Sequence, residues 1–512
     1  MRKLFALYTN EIIKITRKVS VIIILSLMTA GVIGFCAMMK FVDSANISST
    51  IEENNKKYQQ EEIDRQIESL KGQLDDIQSK KSGASGAELN KLISEEIRNK
   101  NELEKLQYSK EHDIYPYSES YLSIAVNMMF EKKLTISQLE SIPESSLDNE
   151  QIKELNTARD YVSRFEKVVK NKDFKEYISI SNDMIKDNEL YTDEQKKIYI
   201  ESNELRLKYN VTNEEYTNQT SDAEVYIRQI QESKYSLLTN LDYISNPLSP
   251  KPLTSELRQK LENRIAVAEY KLKKGIVSSK NIGNSVRSII FPGMLSIGEF
   301  MILLLLMILA GSSISHEIST GSIKSLIISP ARRWKIFTAK LLSLLTVGIV
   351  SSLILYIITV ITHGLMFGFN TGDPYIYATN GTAHELSFYV YQFARLFTDF
   401  IMIVVFMVFA LMLSTLTRNT AVSVGTTIAV YFVGSNANSL LMQFVTGEWR
   451  KFIPFNNLDF TSKIFANDSL SELSNSINTV NNSLTFMIIY ILILLFCMGY
   501  TAYDSFCRRD IK

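Results

Sequence analysis

Residues His316–Lys340 read HEISTGSIKSLIISPARRWKIFTAK, and what flanks them decides the fold. Two apolar runs frame the stretch, Pro292–Ala310 before it and Leu341–Thr362 after it. At about 1.5 Å of helix rise per residue, each is long enough to cross the ~30 Å hydrocarbon core of a bilayer. Between them stand five cations, Lys324, Arg332, Arg333, Lys335 and Lys340, against one acid, Glu317. Lys and Arg near membrane ends are retained on the cytoplasmic side, so the segment is expected there. Ile323, Leu326, Ile327 and Ile328, between Gly321 and Pro330, predict a short amphipathic helix near the membrane that the proline stops. A mere connection has no use for an apolar face, so something is expected to press on this one.

Outward from that loop the chain has two characters. It holds 55 Lys+Arg and 55 Asp+Glu among 512 residues. Residues 43–284 carry 43 acids against 35 bases, a net of −8, which leaves 12 acids and 20 bases, +8, for the apolar remainder. A basic membrane part satisfies the positive-inside rule and gives no ground for nucleic-acid binding. Cys36, Cys497 and Cys507 all lie outside the insert, which must fold without disulfides, and the four histidines show no metal-ligand spacing.

Met1–Lys18 is amphipathic and basic, and no small-residue cleavage site follows it. It predicts a cytoplasmic interfacial helix leading into a first span at Val19–Val42. The polar insert, Asp43–Asn284, is expected outside. Further spans are expected at about 286–312, 338–363, 393–416, 421–443 and 484–504, with Gly364–Leu386 an external loop and residues 446–482 polar and external. Of the membrane part's 20 cations, 14 fall on the predicted inside. The expected fold is an all-α polytopic membrane protein of six spans with both termini cytoplasmic, in a bacterial cell membrane.

Within the insert, Ile63, Ile67, Leu70, Leu74 and Ile77 step by four and three, a heptad seam. Lys81–Gly86 breaks it, and Leu89, Leu92, Ile93, Ile97, Leu103 and Leu106 continue on a second helix, so residues 52–108 predict a coiled-coil hairpin. Thr192–Gln195, Thr212–Glu215 and Ser221–Glu224 match the capping box that begins a helix. Leu257–Lys274 is a last helix ended by Gly275, and Tyr115, Tyr117, Tyr121, Met128, Met129 and Phe130 are candidate core. No alternating strand pattern and no catalytic dyad is evident. The insert is expected to recognise or gate.

Glu317, Gly321, Ser322, Ile323, Leu326, Ser329-Pro330, Arg332-Arg333, Ile336 and Lys340, with Asn10-Glu11-Ile-Ile-Lys14 near the N-terminus, resemble the permease subunits of type 2 ABC exporters of the drug, lantibiotic and polysaccharide export class. The resemblance implies an elbow helix at 1–18 and a coupling loop at 313–340 whose helix docks on a separate cytoplasmic ATPase. Glu317, Gly321, Ile323, Lys324, Leu326, Pro330, Arg332, Arg333 and Lys340 are then the coupling residues. It further implies a dimer, with a second copy or a related permease, in the lipid bilayer. The chain contains no G-x-x-x-x-G-K-[ST] loop, so it is expected to be no enzyme and to hold no cofactor itself, ATP and Mg²⁺ belonging to the partner. The cargo implied is a peptide, antibiotic or amphipathic molecule. The 242-residue insert departs from the family's small members, where that loop is short.

Ionisable residues inside spans are costly and tend to face protein or water. Glu299, Arg395 and Asp399 are therefore candidates for the translocation path, and Glu299, which has no local partner, is expected either to line that path or to pair with Arg395 across the dimer or bundle. Arg395 and Asp399, four apart on one helix face, also fit simple mutual neutralisation. The competing function is a membrane-anchored scaffold or receptor whose coiled-coil insert binds a protein without transport.

Overall fold

The computed structural model describes residues 2–44, 47–143, 146–212, 221–244, 249–275, 282–322, 332–369, 374–445, 447–465 and 482–508. It divides into two compact units. One holds Met1–Ser44, Ser279–Tyr377 and His384–Lys512; the other holds Ala45–Ser278 and Ala378–Ala383. The chain starts with α1 (Arg2–Thr16), and after Arg17–Lys18 continues as the apolar α2 (Val19–Ser44). One face of α1 turns inward with Glu11 and Ile15 buried, while Phe5 and Ile13 are exposed.

The insert is a string of antiparallel helices. In α3 (Ile47–Lys81) and α4 (Ala87–Glu111) the predicted seam closes: Ile63, Ile67 and Leu106 are buried, with Leu70 and Leu103 packed beside them. Its remaining helices are α5 (Tyr121–Glu140), α6 (Asn149–Asn171), α7 (Phe174–Asp187), α8 (Asp193–Lys208), α9 (Asp222–Thr239) and α10 (Ser255–Lys274). Their starts are written in the sequence. Thr192 and Gln195 exchange bonds in a complete capping box, Ser221 accepts from the Glu224 amide, and Asp148 with Gln151 forms a further box. The Thr212–Glu215 signal runs outside the described residues. Gly275 ends α10 in the left-handed conformation, φ 64°.

Two small cores hold these helices. One gathers Met129, Phe130, Phe165, Val168 and Ile180; the other gathers Ile227, Ile230, Ala268 and Leu272. Of the tyrosines expected in a core, Tyr121 packs at the edge of the first, whereas Tyr117 is exposed. A two-residue ladder pairs β1 (Leu241–Asp242) with β2 (Lys251–Pro252).

The apolar unit is built round α11 (Ile282–Ser313), whose Ile302, Leu303, Leu306, Met307 and Ala310 are buried. After the five-residue α12 (Ser315–Ser319) come α13 (Arg333–Phe367), the hairpin β3 (Tyr375–Thr379) and β4 (Thr382–Leu386), and α14 (Phe388–Thr417). Last are α15 (Thr420–Phe444), α16 (Phe460–Ile464) and α17 (Leu484–Arg508). Close approach is written in glycine: a Cβ at Gly298 would strike Leu355, and one at Gly311 would meet the Val424 backbone at 3.3 Å.

Five described helices are long and apolar enough to cross a membrane: Val19–Val42, Ile290–Ser319, Arg333–Phe367, Phe388–Thr417 and Leu484–Arg508. The chain is a membrane protein with an all-helical body. The expected fifth span, 421–443, is helical within α15, yet its Ser, Thr and Asn content leaves it outside that set.

The external loop expected at Gly364–Leu386 contains structure the periodicity argument passed over. Asn380 and Gly381 take φ 52° and 73°, the two positive values of a type I′ turn, and join β3 to β4. The Asn-Gly pair was the available signal.

Candidate functional site

The site begins with a break in a helix. At the end of α11 the amides of Ile314 and Ser315 donate to Ser414 Oγ, at 3.3 and 3.0 Å. Ser315 Oγ and Ser423 Oγ each donate to the Gly311 carbonyl at 2.7 Å, and Ser315 Oγ also lies 2.9 Å from Thr420 Oγ1. Hydroxyls from α14 and α15 thus satisfy the backbone groups that leave the ladder, which a buried helix end requires. The chain re-enters helix as α12, and Glu317 is carried inward.

There it meets three charges from distant parts of the chain. Lys340 Nζ donates to Glu317 Oε1 at 2.8 Å and lies 3.1 Å from Glu11 Oε2. Lys14 also donates to Glu317 Oε1 and lies 3.9 Å from Glu11. The Glu317 and Lys340 side chains are 4% and 1% exposed, against 45% for Lys14. Two carboxylates and two ammoniums make a neutral set, the condition under which such burial is tolerable. Burial opposes the Lys14 charge, but its hydrogen bond to Glu317 and the charges of Glu11 and Glu317 outweigh that and hold its pKa above the ordinary 10.5. Lys18 goes the other way, lowered by burial and by the like charges of Lys14 and Lys340. Tyr8 ties α1 to α13 a second time, donating to Thr346 Oγ1 at 2.9 Å.

The nine residues expected to contact an ATPase therefore separate. Glu317 and Lys340 face inward, toward α1. Gly321 is exposed with φ 71°, where only a residue without a Cβ is unstrained. Arg332 is exposed at the N-cap of α13, and Arg333 is half-buried, donating to the Cys507 carbonyl at 3.3 Å. Ile323, Lys324, Leu326 and Pro330 lie outside the described residues. Glu11 and Lys14, by contrast, were not singled out as partners of this loop. The signal for Glu11 was an acid on the apolar side of an otherwise basic helix.

A second polar group lies within the apolar helices. Arg395 Nε is 3.5 Å from Asp399 Oδ2, and Thr461 donates to Asp399 Oδ1 at 2.6 Å. Glu299 on α11 is close enough to interact electrostatically with both Asp399 and Arg395. Its Oε1 is buried and receives no hydrogen bond among the described residues. The three ionisable residues singled out in the spans thus lie within electrostatic reach of one another. Among the described residues no three His, Cys, Asp or Glu side chains could hold a metal ion.

Over residues 263–512 the chain matches a family described as a protein of unknown function, DUF2705. Among curated proteins it is 26% identical over 208 residues to the "Uncharacterized membrane protein YdbK" of Bacillus subtilis, covering 41% of this chain and 77% of that protein. It is also 26% identical over 269 residues to the "Uncharacterized protein YhcI" of the same organism, covering 50% of this chain and 78% of that one. The family match contains Glu299, Glu317, Lys340, Arg395 and Asp399; Glu11, Lys14 and nearly all of the insert precede it.

Proposed function

We propose that this chain is the membrane subunit of an ATP-driven exporter, moving a peptide, antibiotic or amphipathic molecule, with ATP hydrolysed by a separate cytoplasmic partner. One observation carries it. The basic segment between the second and third apolar helices leaves and re-enters the bundle at Glu317 and Lys340, and both are bonded to one buried ionic anchor that also holds the N-terminal helix. Force applied to the segment reaches three helices at once, which a loop that transmits ATPase closure requires and a topological connector does not. Exposed Arg332 offers a cation to an acidic groove. The charge distribution supports six spans, with α15 as the fifth, both termini and the loop inside, and the helical insert outside.

The test is purification of the full chain in nanodiscs from its own cells, with ATP hydrolysis measured on the purified material. Wild type is compared with Arg332→Glu, a change at an exposed position that leaves the ionic anchor intact. Hydrolysis that accompanies wild type and is lost in the variant supports the exporter. If no ATPase activity accompanies wild type, the proposal fails, and the insert becomes the functional part of a scaffold or receptor.

A further inference from the structure

A cavity of about 460 Å³ opens between α6 and α7 of the insert, a volume within the ~300–1,000 Å³ of small-molecule sites. Asn156, Asp160 and Arg164 recur every fourth residue along α6, and Asp183 and Asp187 do so on α7, so each helix turns one polar strip toward it. Tyr161 lines it too. Its ring is buried in the core with Phe165 and Val168, and its hydroxyl donates to Asp187 Oδ2 at 3.0 Å.

The charges of the lining do not balance. Asp160, Asp183 and Asp187 face two cations, Arg164 and Lys186. Both cations serve the same acid: Arg164 donates to Asp183 Oδ2 at 2.9 Å, and Lys186 lies 3.6 Å from Asp183 Oδ1. Arg164 also donates to Glu176 Oε1, outside the lining, at 2.9 Å. Among the described residues Asp187 has the neutral Tyr161 hydroxyl and no ion pair, and Asp160 has neither a hydrogen bond nor an ion pair. Two carboxylates, one on each helix, are left without a cation.

The lining narrows what can fill the space. An anion would meet three acids, and the one guanidinium is already shared between two carboxylates. A sugar needs an exposed ring to stack on, whereas Tyr161 is 7% exposed. A metal ion needs several ligands around one point, and no three acidic side chains among the described residues stand that close. An elongated cation with N–H donors spaced along it can meet Asp160 and Asp187 separately, through charge-assisted hydrogen bonds of the strong kind. The insert's net charge of −8 adds attraction at longer range.

We infer that the cavity between α6 and α7 binds alkylammonium groups, carried by a free polyamine or by the lysines of a basic peptide, with Asp160 and Asp187 as counter-ions and Tyr161 holding Asp187 in place. The site belongs to the insert alone and does not depend on transport.

The probes are spermidine and tri-lysine, titrated calorimetrically into the full chain in phosphatidylcholine nanodiscs, which contribute no anionic lipid, with empty nanodiscs as the blank. Wild type is expected to bind at least one of them saturably. Asp160→Asn/Asp187→Asn should weaken that binding by about tenfold or more. Glu68→Gln/Asp75→Asn removes the same charge from exposed positions on α3 and should change it by less than about twofold. Lys186→Gln removes a competing ammonium and should tighten binding by about two- to fivefold, a gain that misfolding does not produce. The site is overturned if neither probe binds above the blank, if the Asp160/Asp187 variant binds as wild type does, if the α3 variant loses as much, or if Lys186→Gln binds more weakly. Spermidine binding without tri-lysine binding assigns the site to free polyamines, and the reverse assigns it to basic peptides.

Discussion

Replacing Lys340 with methionine tests whether the ionic anchor holds the membrane unit together. Methionine keeps most of the side-chain volume and removes the charge. Lys340 is 1% exposed and lies 2.8 Å from Glu317 and 3.1 Å from Glu11. Its loss leaves two buried carboxylates paired, among the described residues, with Lys14, whose 45% exposure lets water screen it, while Lys18 adds only its field. Removing one member of a buried ion pair costs about 3–5 kcal/mol, because the survivor remains buried and uncompensated. At roughly 2 °C per kcal/mol for a unit of this size, the midpoint should fall by about 6–10 °C. Trp334, one helical turn and a half from the site on α13, is a convenient fluorescent reporter of thermal unfolding in nanodiscs. Lys14→Met should cost only about 1 kcal/mol, since that ammonium is half in solvent. The double variant Lys340→Met/Glu317→Gln should recover much of the loss by restoring neutrality. If Lys340→Met melts no lower than Lys14→Met, or if the double variant is as unstable as the sum of its singles, the charges are not coupled and the anchor does not exist.

Three further outcomes follow from the same structure. Because Lys14 is held above its ordinary 10.5, the stability it contributes is fully present below pH 10.5 and is lost as pH rises through the higher folded-state value; the Tm gap between wild type and Lys14→Gln should stay constant from neutral to mildly alkaline pH and close only above that point. In the insert, Arg206 forms a bidentate pair with Glu224 at 2.8 and 2.8 Å, with Glu224 9% exposed. Arg206→Met should therefore destabilise α8 and α9 by about 3 kcal/mol in hydrogen exchange, whereas Lys56→Ala, at the solvent-exposed pair with Asp113, should change it by less than about 1 kcal/mol. Gly298→Ala would push a methyl into the side chain of the fully buried Leu355, which must shift; a cost of about 1–3 kcal/mol is expected in the same thermal melt, and an unchanged melt would show that α11 and α13 do not pack there.

Much of the architecture was decided by the chain alone, because it depends on local periodicity and on length. A 3.6-residue apolar stripe makes α1 amphipathic, about twenty consecutive apolar residues make a membrane helix, and Thr192 with Gln195 starts α8 wherever α8 lies. The same local reasoning could have found the Asn380-Gly381 hairpin. What a charge does is different, since it depends on which partners the fold delivers. Glu317 and Lys340 entered as coupling residues through the resemblance, with no partner inside the chain in view. Packing instead buried them against Glu11 and Lys14, some 300 residues away in sequence for the Lys14–Glu317 pair. Glu299 has no partner within its own span, and although Arg395 could be named as a candidate from the sequence, it is the packing of α11 against α14 that puts it in electrostatic range of Arg395 and Asp399. Helix formation minimises local backbone energy and is therefore legible residue by residue. The fate of a buried charge is settled by compensation from across the bundle, and no window of sequence contains that information.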